Sequence, residues 1–493
     1  MPKRLSHNGR KVVDFETRIL AGGKWMDARG GSTFVSISPA DEKDLAQVAS
    51  GTKEDIDTAV LAASEALVGP WSKTSGWERA RLLYRLAELV ERDTEILAHL
   101  EAVEIGRPIS EPRNVDIPSA VACLRTYAAF AERVNGKQIP GPDHFGRQLT
   151  TVVVREPIGV VAAILPWNAP TMIATWKLGP ILATGCTCVL KPAEDASLAV
   201  LHLGRLVLEA GYPDGVVNIV PGRGDQVGQH LVTHPRVDKV SFTGSPQVGS
   251  QIAIWCAPLF RPTTLELGGK SAQIVMSDAD IEGAVPGIAL GVFSNQGQIC
   301  AAGSRILVHR SIQDRVAELL AHEARSRKLG DPLDPSTTMG SLVSRKQLDS
   351  VMRYIALGKS EGARVLAGGE KLERPGFFVQ PTVFDNVSND ATIAREEIFG
   401  PVATIIPFDT PEEALLLANS SDYGLSANVW TGNVKHAHQL AHGLKVGTVW
   451  VNGGGTPDPR TGWGGGGKSG VGRELGEAGI LSHTTEKTLN FFY

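Results

Sequence analysis

Apolar residues recur every three to four positions over residues 56–71 (Ile56, Val60, Ala63, Leu67) and again over 77–90 (Ala80, Leu83, Ala87, Val90). Charges fill the positions between them, so both stretches are predicted to be amphipathic helices. From Gly159 the pattern changes. Short apolar runs at 160–165, 187–190, 216–220 and 240–242 alternate with helical stretches at 171–182 and 198–208, and this alternation predicts a parallel, doubly wound sheet. A second alternating set has strands at 305–308, 364–366, 404–407, 427–430 and 448–451 and a helix at 313–328. It predicts a second α/β domain. Residues 264–270, a strand running into a glycine turn, read as the boundary between the two, and the glycine-rich stretch 453–472 reads as loop. No solenoid repeat is visible.

At 493 residues the chain is too long for one core, so two or three domains and an interface between them are expected. Hydrophobic residues at 42% and charged residues at 21% place it with ordinary globular proteins. A net charge of -4 gives no electrostatic reason to expect nucleic acid or an anionic membrane as partner. Five irregularly spaced cysteines do not form a secreted disulfide framework, which suggests a reducing compartment. Residues 1–20 start basic but lack the apolar core of a signal peptide, and no run approaches the roughly 18 apolar residues of a membrane span. The expectation is a cytoplasmic protein with a loosely ordered leader.

Candidate chemistry gathers at the carboxyl ends of the predicted strands, where open α/β sheets bind ligands. The first strand runs into Pro166-Trp167-Asn168-Ala169-Pro170, and the next is followed by Lys191-Pro192-Ala193-Glu194, a pair of charges suited to a ribose diol. The run Ser241-Phe242-Thr243-Gly244-Ser245 places glycine and a hydroxyl ahead of a helix whose first amides suit a pyrophosphate. Each turn alone reads equally well as a helix cap. Together they outline a nucleotide site. The glycines Gly222, Gly224 and Gly228 depart from the dinucleotide fingerprint by one residue, so they add little. Cys300, in Asn295-Gln296-Gly297-Gln298-Ile299-Cys300-Ala301, lies among small and amide side chains rather than in an apolar strand. Most free cysteines are buried and inert. Glu266, otherwise a boundary salt-bridge residue, is a candidate base for water or for that thiol.

In order along the chain, PWNAP (166–170), KPAE (191–194), FTGS (242–245), ELGGK (266–270), NQGQIC (295–300), EEIFGP (396–401) and SGVGRELGE (469–477) resemble the aldehyde dehydrogenase superfamily. The resemblance implies an α/β fold with a Rossmann-like doubly wound parallel sheet, a second α/β catalytic domain and a small oligomerisation β-arm. The expected ranges are 1–130 and 152–265 for NAD binding, 266–465 for catalysis, and 131–151 with 480–493 for the arm.

It further implies that Cys300 attacks the aldehyde, that the Asn168 amide and the Cys300 N–H hold the oxyanion, and that Glu266 activates the water that hydrolyses a thioester. Lys191 and Glu194 are expected at the adenosine ribose, Ser245 at the pyrophosphate, Glu397 at the nicotinamide ribose and Phe399 near the ring. Pro166, Trp167, Gly224, Phe242, Gly244 and Leu267 are expected around the same cofactor. The Glu194 carboxylate disfavours the extra phosphate of NADP, so NAD is the expected cofactor. No metal is implied.

The chain departs from the family pattern at Ala169, where phenylalanine is usual, and at Gly453 to Gly455, where bulkier residues are usual. Both changes remove volume, so a bulky or aromatic aldehyde is expected, with Ala169, Ile173, Trp176, Ile299, Ala301 and Trp463 as pocket walls. Family members are homodimers or homotetramers, and the alternating, aromatic tail 485–493 suits a strand that pairs across subunits.

Four rival readings stand beside this one. Residues 462–469 fit a P-loop pattern, but their flanks are not apolar. His436, His438 and His442 have zinc-like spacing without the glutamate of a zinc protease. A coenzyme A-acylating or non-catalytic relative is opposed by the joint presence of Cys300 and Glu266.

Overall fold

The computed structural model describes residues 3–5, 13–141 and 146–493. Among them, two large sheets and a small one carry the architecture. In the first sheet the strands Val160–Ile164 and Thr187–Lys191 are buried on both faces, as parallel strands covered by helices must be. Successive side chains point to opposite faces: Val161 and Ala163 enter one apolar core, Val160, Ala162 and Ile164 the other.

Parallel strands in this sheet lie in the order Thr263–Glu266, Lys239–Thr243, Val160–Ile164, Thr187–Lys191, Val217–Ile219. The chain winds outward from Val160–Ile164 in one direction and then returns to its other side with Lys239–Thr243. The order reverses between those two strands, and their carboxyl ends open a crevice there. The second sheet has the order Arg364–Ala367, Thr382–Asp385, Val402–Phe408, Arg305–His309, Ala272–Val275, Ser426–Trp430, Thr448–Val451. It is parallel except for its first strand. Residues 267–271 pass directly from one sheet to the other.

Several expectations need correction. Ala272–Val275 and Thr382–Asp385 are strands that the apolar pattern did not single out, and the expected strand Arg364–Ala367 pairs antiparallel at the sheet edge. The glycine-rich stretch 453–472 is not all loop: Gly470–Val471 pairs antiparallel with Leu265 and Glu266 and returns the chain to the first sheet. Residues 1–2 and 6–12 of the expected leader lie outside the described residues. Its end is ordered, since Ile19–Ala21 is a buried strand whose Leu20 pairs with Ile219. The third sheet joins Lys137–Pro140, Leu149–Pro157 and Thr484–Phe492, so it extends past the expected boundary at 151. Pairing from Thr484 against Pro157 to Phe492 against Leu149 holds the whole of that strand in the arm.

Candidate active site

Helix Pro170–Thr184 begins immediately after Asn168 and Ala169, with proline at its first position, where a missing N–H costs nothing. This start fixes the amide of Asn168 at the carboxyl end of Val160–Ile164. Asn168 is 7% exposed, and one N–H of its Nδ2 donates to the Gln298 carbonyl at 2.9 Å. A primary amide has two such hydrogens, so one remains. Asn295 Nδ2 donates to the Asn168 carbonyl at 2.8 Å, which ties this turn to the cysteine loop.

Cys300 is half-buried against the core that contains Ala169, Ile173, Trp176 and Trp463. Burial, reinforced by the carboxylates of Glu397 and Glu266, pushes its thiol up to about 12. The loop before it carries left-handed backbone at two non-glycine residues, Asn295 (φ 46°) and Gln296 (φ 55°). Such residues cost about 1 kcal/mol or more each and persist where the surroundings hold them. Gln296 is held by Ser341 and Gly340, and Gln298 by Val343. A side chain at Gly269 would overlap the Cys300 carbonyl, so the turn after Glu266 lies directly on the cysteine loop.

Glu266 ends the strand Thr263–Glu266, and its carbonyl accepts from the Gly244 N–H at 3.0 Å. Its side chain is 4% exposed and neither carboxylate oxygen has a hydrogen-bond partner. Burial, and then the neighbouring Glu474, raise this carboxyl well above the ordinary 4.5, against the pull of Lys177 and Arg473. A buried, unpartnered carboxyl is costly and marks a functional site more often than a structural one.

On the crevice side, Glu194 Oε1 accepts from the Gly224 N–H at 2.8 Å, and its other oxygen lies 3.6 Å from Lys191 Nζ. Ser245 is exposed and caps helix Pro246–Cys256 by accepting from the Val248 N–H. Phe242 and Leu267 are core residues, 5% and 8% exposed, beneath this surface. Glu397 Oε1 accepts from the Gly269 N–H at 2.9 Å, and burial raises its carboxyl to about 7. Phe399 meets Trp167 edge to face at 5.3 Å, beside Pro166. Gln347 holds Phe399 in place by donating to its carbonyl.

The ring of Trp463 stands 6.2 Å from that of Trp176 and 6.1 Å from that of Trp450, and Ala169, Trp176 and Trp463 belong to the apolar core against which Cys300 packs. Ile299 and Ala301 flank the cysteine and are half-buried. Around Gly455 a side chain would meet open space.

Sequence reading did not single out Trp450, nor the buried quartet in which Lys177 Nζ contacts Glu474 (2.6 Å), Thr243 (2.9 Å) and Ser241 (3.0 Å). The available signal was a lone lysine in the otherwise apolar helix 171–182.

Neither rival pattern has the setting that its chemistry needs. Lys468, at the lysine position of the P-loop pattern, pairs with Asp422, and a short strand follows it rather than a helix. His438 and His442 stack on helix Val434–Gly443, and His436 lies 3.9 Å from Asp278.

The aldehyde dehydrogenase family pattern matches residues 25–489. Human mitochondrial aldehyde dehydrogenase is 44% identical over 96% of this chain and 92% of its own length. The structure of an aldehyde dehydrogenase from Bacillus cereus in complex with NAD+ superposes with a TM-score of 0.94 at 45% identity, covering 97% of this chain and 96% of that one. An indole-3-acetaldehyde dehydrogenase from P. syringae, also in complex with NAD+, matches with a TM-score of 0.94 at 41% identity and 97% coverage of each chain. With a half-buried thiol and a buried carboxyl set where two parallel sheets meet, and with the family pattern spanning both, this chain belongs to the aldehyde dehydrogenase family.

Proposed function

We propose that the protein oxidises an aldehyde to its carboxylic acid with NAD as oxidant, by way of a thioester on Cys300. The observation that carries this reading is the contact between the Cys300 loop and the turn following Glu266, whose carboxyl is buried and without a partner.

The crevice residues fit the cofactor. Only glycine at 268 leaves room for Glu397 Oε2, which stands where a Cβ would be, and this leaves a carboxylate oxygen beside bare backbone for a hydroxyl to approach. Lys191 and Glu194 would hold the adenosine ribose, Ser245 with the first amides of helix Pro246–Cys256 the pyrophosphate, and Glu397 the nicotinamide ribose. Glu194, a carboxylate 40% exposed, would repel a ribose phosphate and so favours NAD over NADP. When bound, NAD supplies the hydride acceptor.

Deprotonated Cys300 adds to the carbonyl carbon, and the free N–H of Asn168 with the Cys300 backbone N–H receives the oxygen as it becomes charged. Donors of this kind contribute roughly 3–4 kcal/mol. Because its carboxyl is raised, Glu266 is a stronger base than an exposed glutamate, which narrows the proton-affinity gap to the water that attacks the thioester. Water adds to the thioester carbon, Glu266 takes its proton, and the acid leaves as the thiol is restored.

The substrate class we favour is a bulky or aromatic aldehyde. Its support is the small side chain at Ala169, in the same apolar core as Trp176 and Trp463, and the cluster that these indoles form with Trp450, suited to stacking a ring. The P. syringae relative is an indole-3-acetaldehyde dehydrogenase, in keeping with that class. We also favour a homodimer or homotetramer. Thr484–Phe492 is an edge strand, with Phe491 46% and Tyr493 74% exposed. Ile254 and Phe260 are further large apolar side chains left exposed, at 60% and 94%. Among the described residues no helix is long and apolar enough to cross a membrane, and the free cysteines suit a cytoplasmic location.

A panel of aldehydes followed by NADH absorbance, with and without coenzyme A and with Cys300→Ala as control, tests the reading. NADH formation that needs Cys300 but not coenzyme A is expected; a strict need for coenzyme A, or unchanged activity in Cys300→Ala, overturns it.

A further inference from the structure

Beside the cysteine loop, just past the end of helix Thr94–Ile105, lies a cluster of buried charges for which the chemistry above has no use. Arg107 follows helix Thr94–Ile105, and its side chain is 6% exposed. Its Nε donates to Glu111 Oε2 at 2.7 Å, and its Nη1 to Asp116 Oδ2. The same oxygen of Glu111 accepts from the backbone N–H of Asn295 at 2.9 Å, the first residue of the left-handed turn that leads to Cys300. Within helix Thr94–Ile105, Glu101 Oε1 accepts from the Thr171 N–H at 3.0 Å, at the start of the helix that follows Asn168. Asn295 then closes the circuit by donating to the Asn168 carbonyl. The polar groups that approach the cysteine loop from this side are therefore Glu111 and, through it, Arg107, Asp116 and Glu101.

We propose that Glu111, braced by Arg107, is a positioning residue. By holding the Asn295 N–H it sets the cysteine loop against Asn168, so that the nucleophile and the oxyanion amide face the same point. Loops held in left-handed conformations relax when their anchor is removed, and a displacement of about 1 Å of a reacting group slows chemistry by up to about a hundredfold. The guanidinium fork bridges two carboxylates in a fixed plane, which lysine cannot do. This inference rests on the aldehyde dehydrogenase reading of Cys300 and Asn168.

The test uses the full chain with NAD and benzaldehyde, enzyme in excess over aldehyde, so that NADH appearance reports the acylation step. Glu111→Ala should slow acylation by about tenfold or more while the KM for benzaldehyde changes less than about threefold, the pattern of an interaction felt only in the transition state. Glu111→Gln, whose amide oxygen still accepts from Asn295, should recover to within about threefold of wild type. Wild-type acylation in Glu111→Ala, or a loss in Glu111→Gln as large as in Glu111→Ala, overturns the proposal. If Glu111→Ala does not fold, Arg107→Lys decides: acylation slowed about fivefold or more at unchanged KM supports positioning, and the wild-type rate overturns it. A wild-type protein that makes no NADH from any aldehyde would instead sink the functional reading itself.

Discussion

Lys177 Nζ lies 2.6 Å from Glu474 Oε1, with the two side chains only 0% and 3% exposed. This ion pair, shut off from water, stands behind Glu266 and joins helix Pro170–Thr184 to the strand-like segment that brings residues 463 and 474 together. Removing one partner of a buried pair strands the other's charge, which costs about 3–5 kcal/mol. Lys177→Met should therefore lose stability of that order in a denaturant titration, and the double variant Lys177→Met/Glu474→Gln should regain part of it. A single variant within about 1 kcal/mol of wild type would show that the pair carries little.

The raised carboxyl of Glu266 gives turnover a pH dependence with a definite sign. As a base it works only when deprotonated, so kcat should climb with pH through a value above the ordinary 4.5. For stability the sign is opposite to that of a salt-bridged carboxylate. The native state holds this proton where the unfolded chain has lost it, so the contribution is full below about 4.5 and declines as pH rises toward the folded value. Glu266→Gln should release about one equivalent of NADH and then stall with the thioester in place. Sustained turnover in that variant would remove Glu266 from the deacylation step.

Cofactor choice is expected to depend on one carboxylate. Glu194→Ser removes the charge proposed to face the ribose while Gly224 loses only one acceptor. The ratio of kcat/KM for NADP to that for NAD should rise by about tenfold or more, equivalent to roughly 1.4 kcal/mol of relieved repulsion. An equal or better value for NADP in the wild type would show that Glu194 does not discriminate.

Filling the space beside the indole wall should narrow substrate scope. Ala169→Phe, at a position 5% exposed and packed against the core of Trp176 and Trp463, should lower kcat/KM for benzaldehyde relative to acetaldehyde. Small steric changes in such pockets are worth about 1–3 kcal/mol. A wild-type enzyme that already prefers acetaldehyde strongly would contradict the roomy pocket.

Legibility differed between elements for physical reasons. Strands such as Val160–Ile164 could be read because burial on both faces demands an unbroken apolar run. Ala272–Val275 escaped because Gln273 breaks its apolar run, and only the packed chain supplies the Ile288 and Gly303 carbonyls that let this amide be buried. Cys300 and Glu266 stood out through their neighbours in the chain. Lys177 and Glu474 did not, since 297 residues separate them and only packing brings their charges within reach.

Taken by itself, the residue order determined the alternation of strands and helices, the two-sheet α/β class and the polar turns at strand ends, because each depends on periodicity or on a few adjacent side chains. Tertiary structure alone decided which turns share a crevice, that Glu266 lacks a partner, that Glu111 reaches the cysteine loop and that Gly470–Val471 rejoins the first sheet. Burial, desolvation and pairing across hundreds of residues are properties of the packed chain, and no local spacing encodes them.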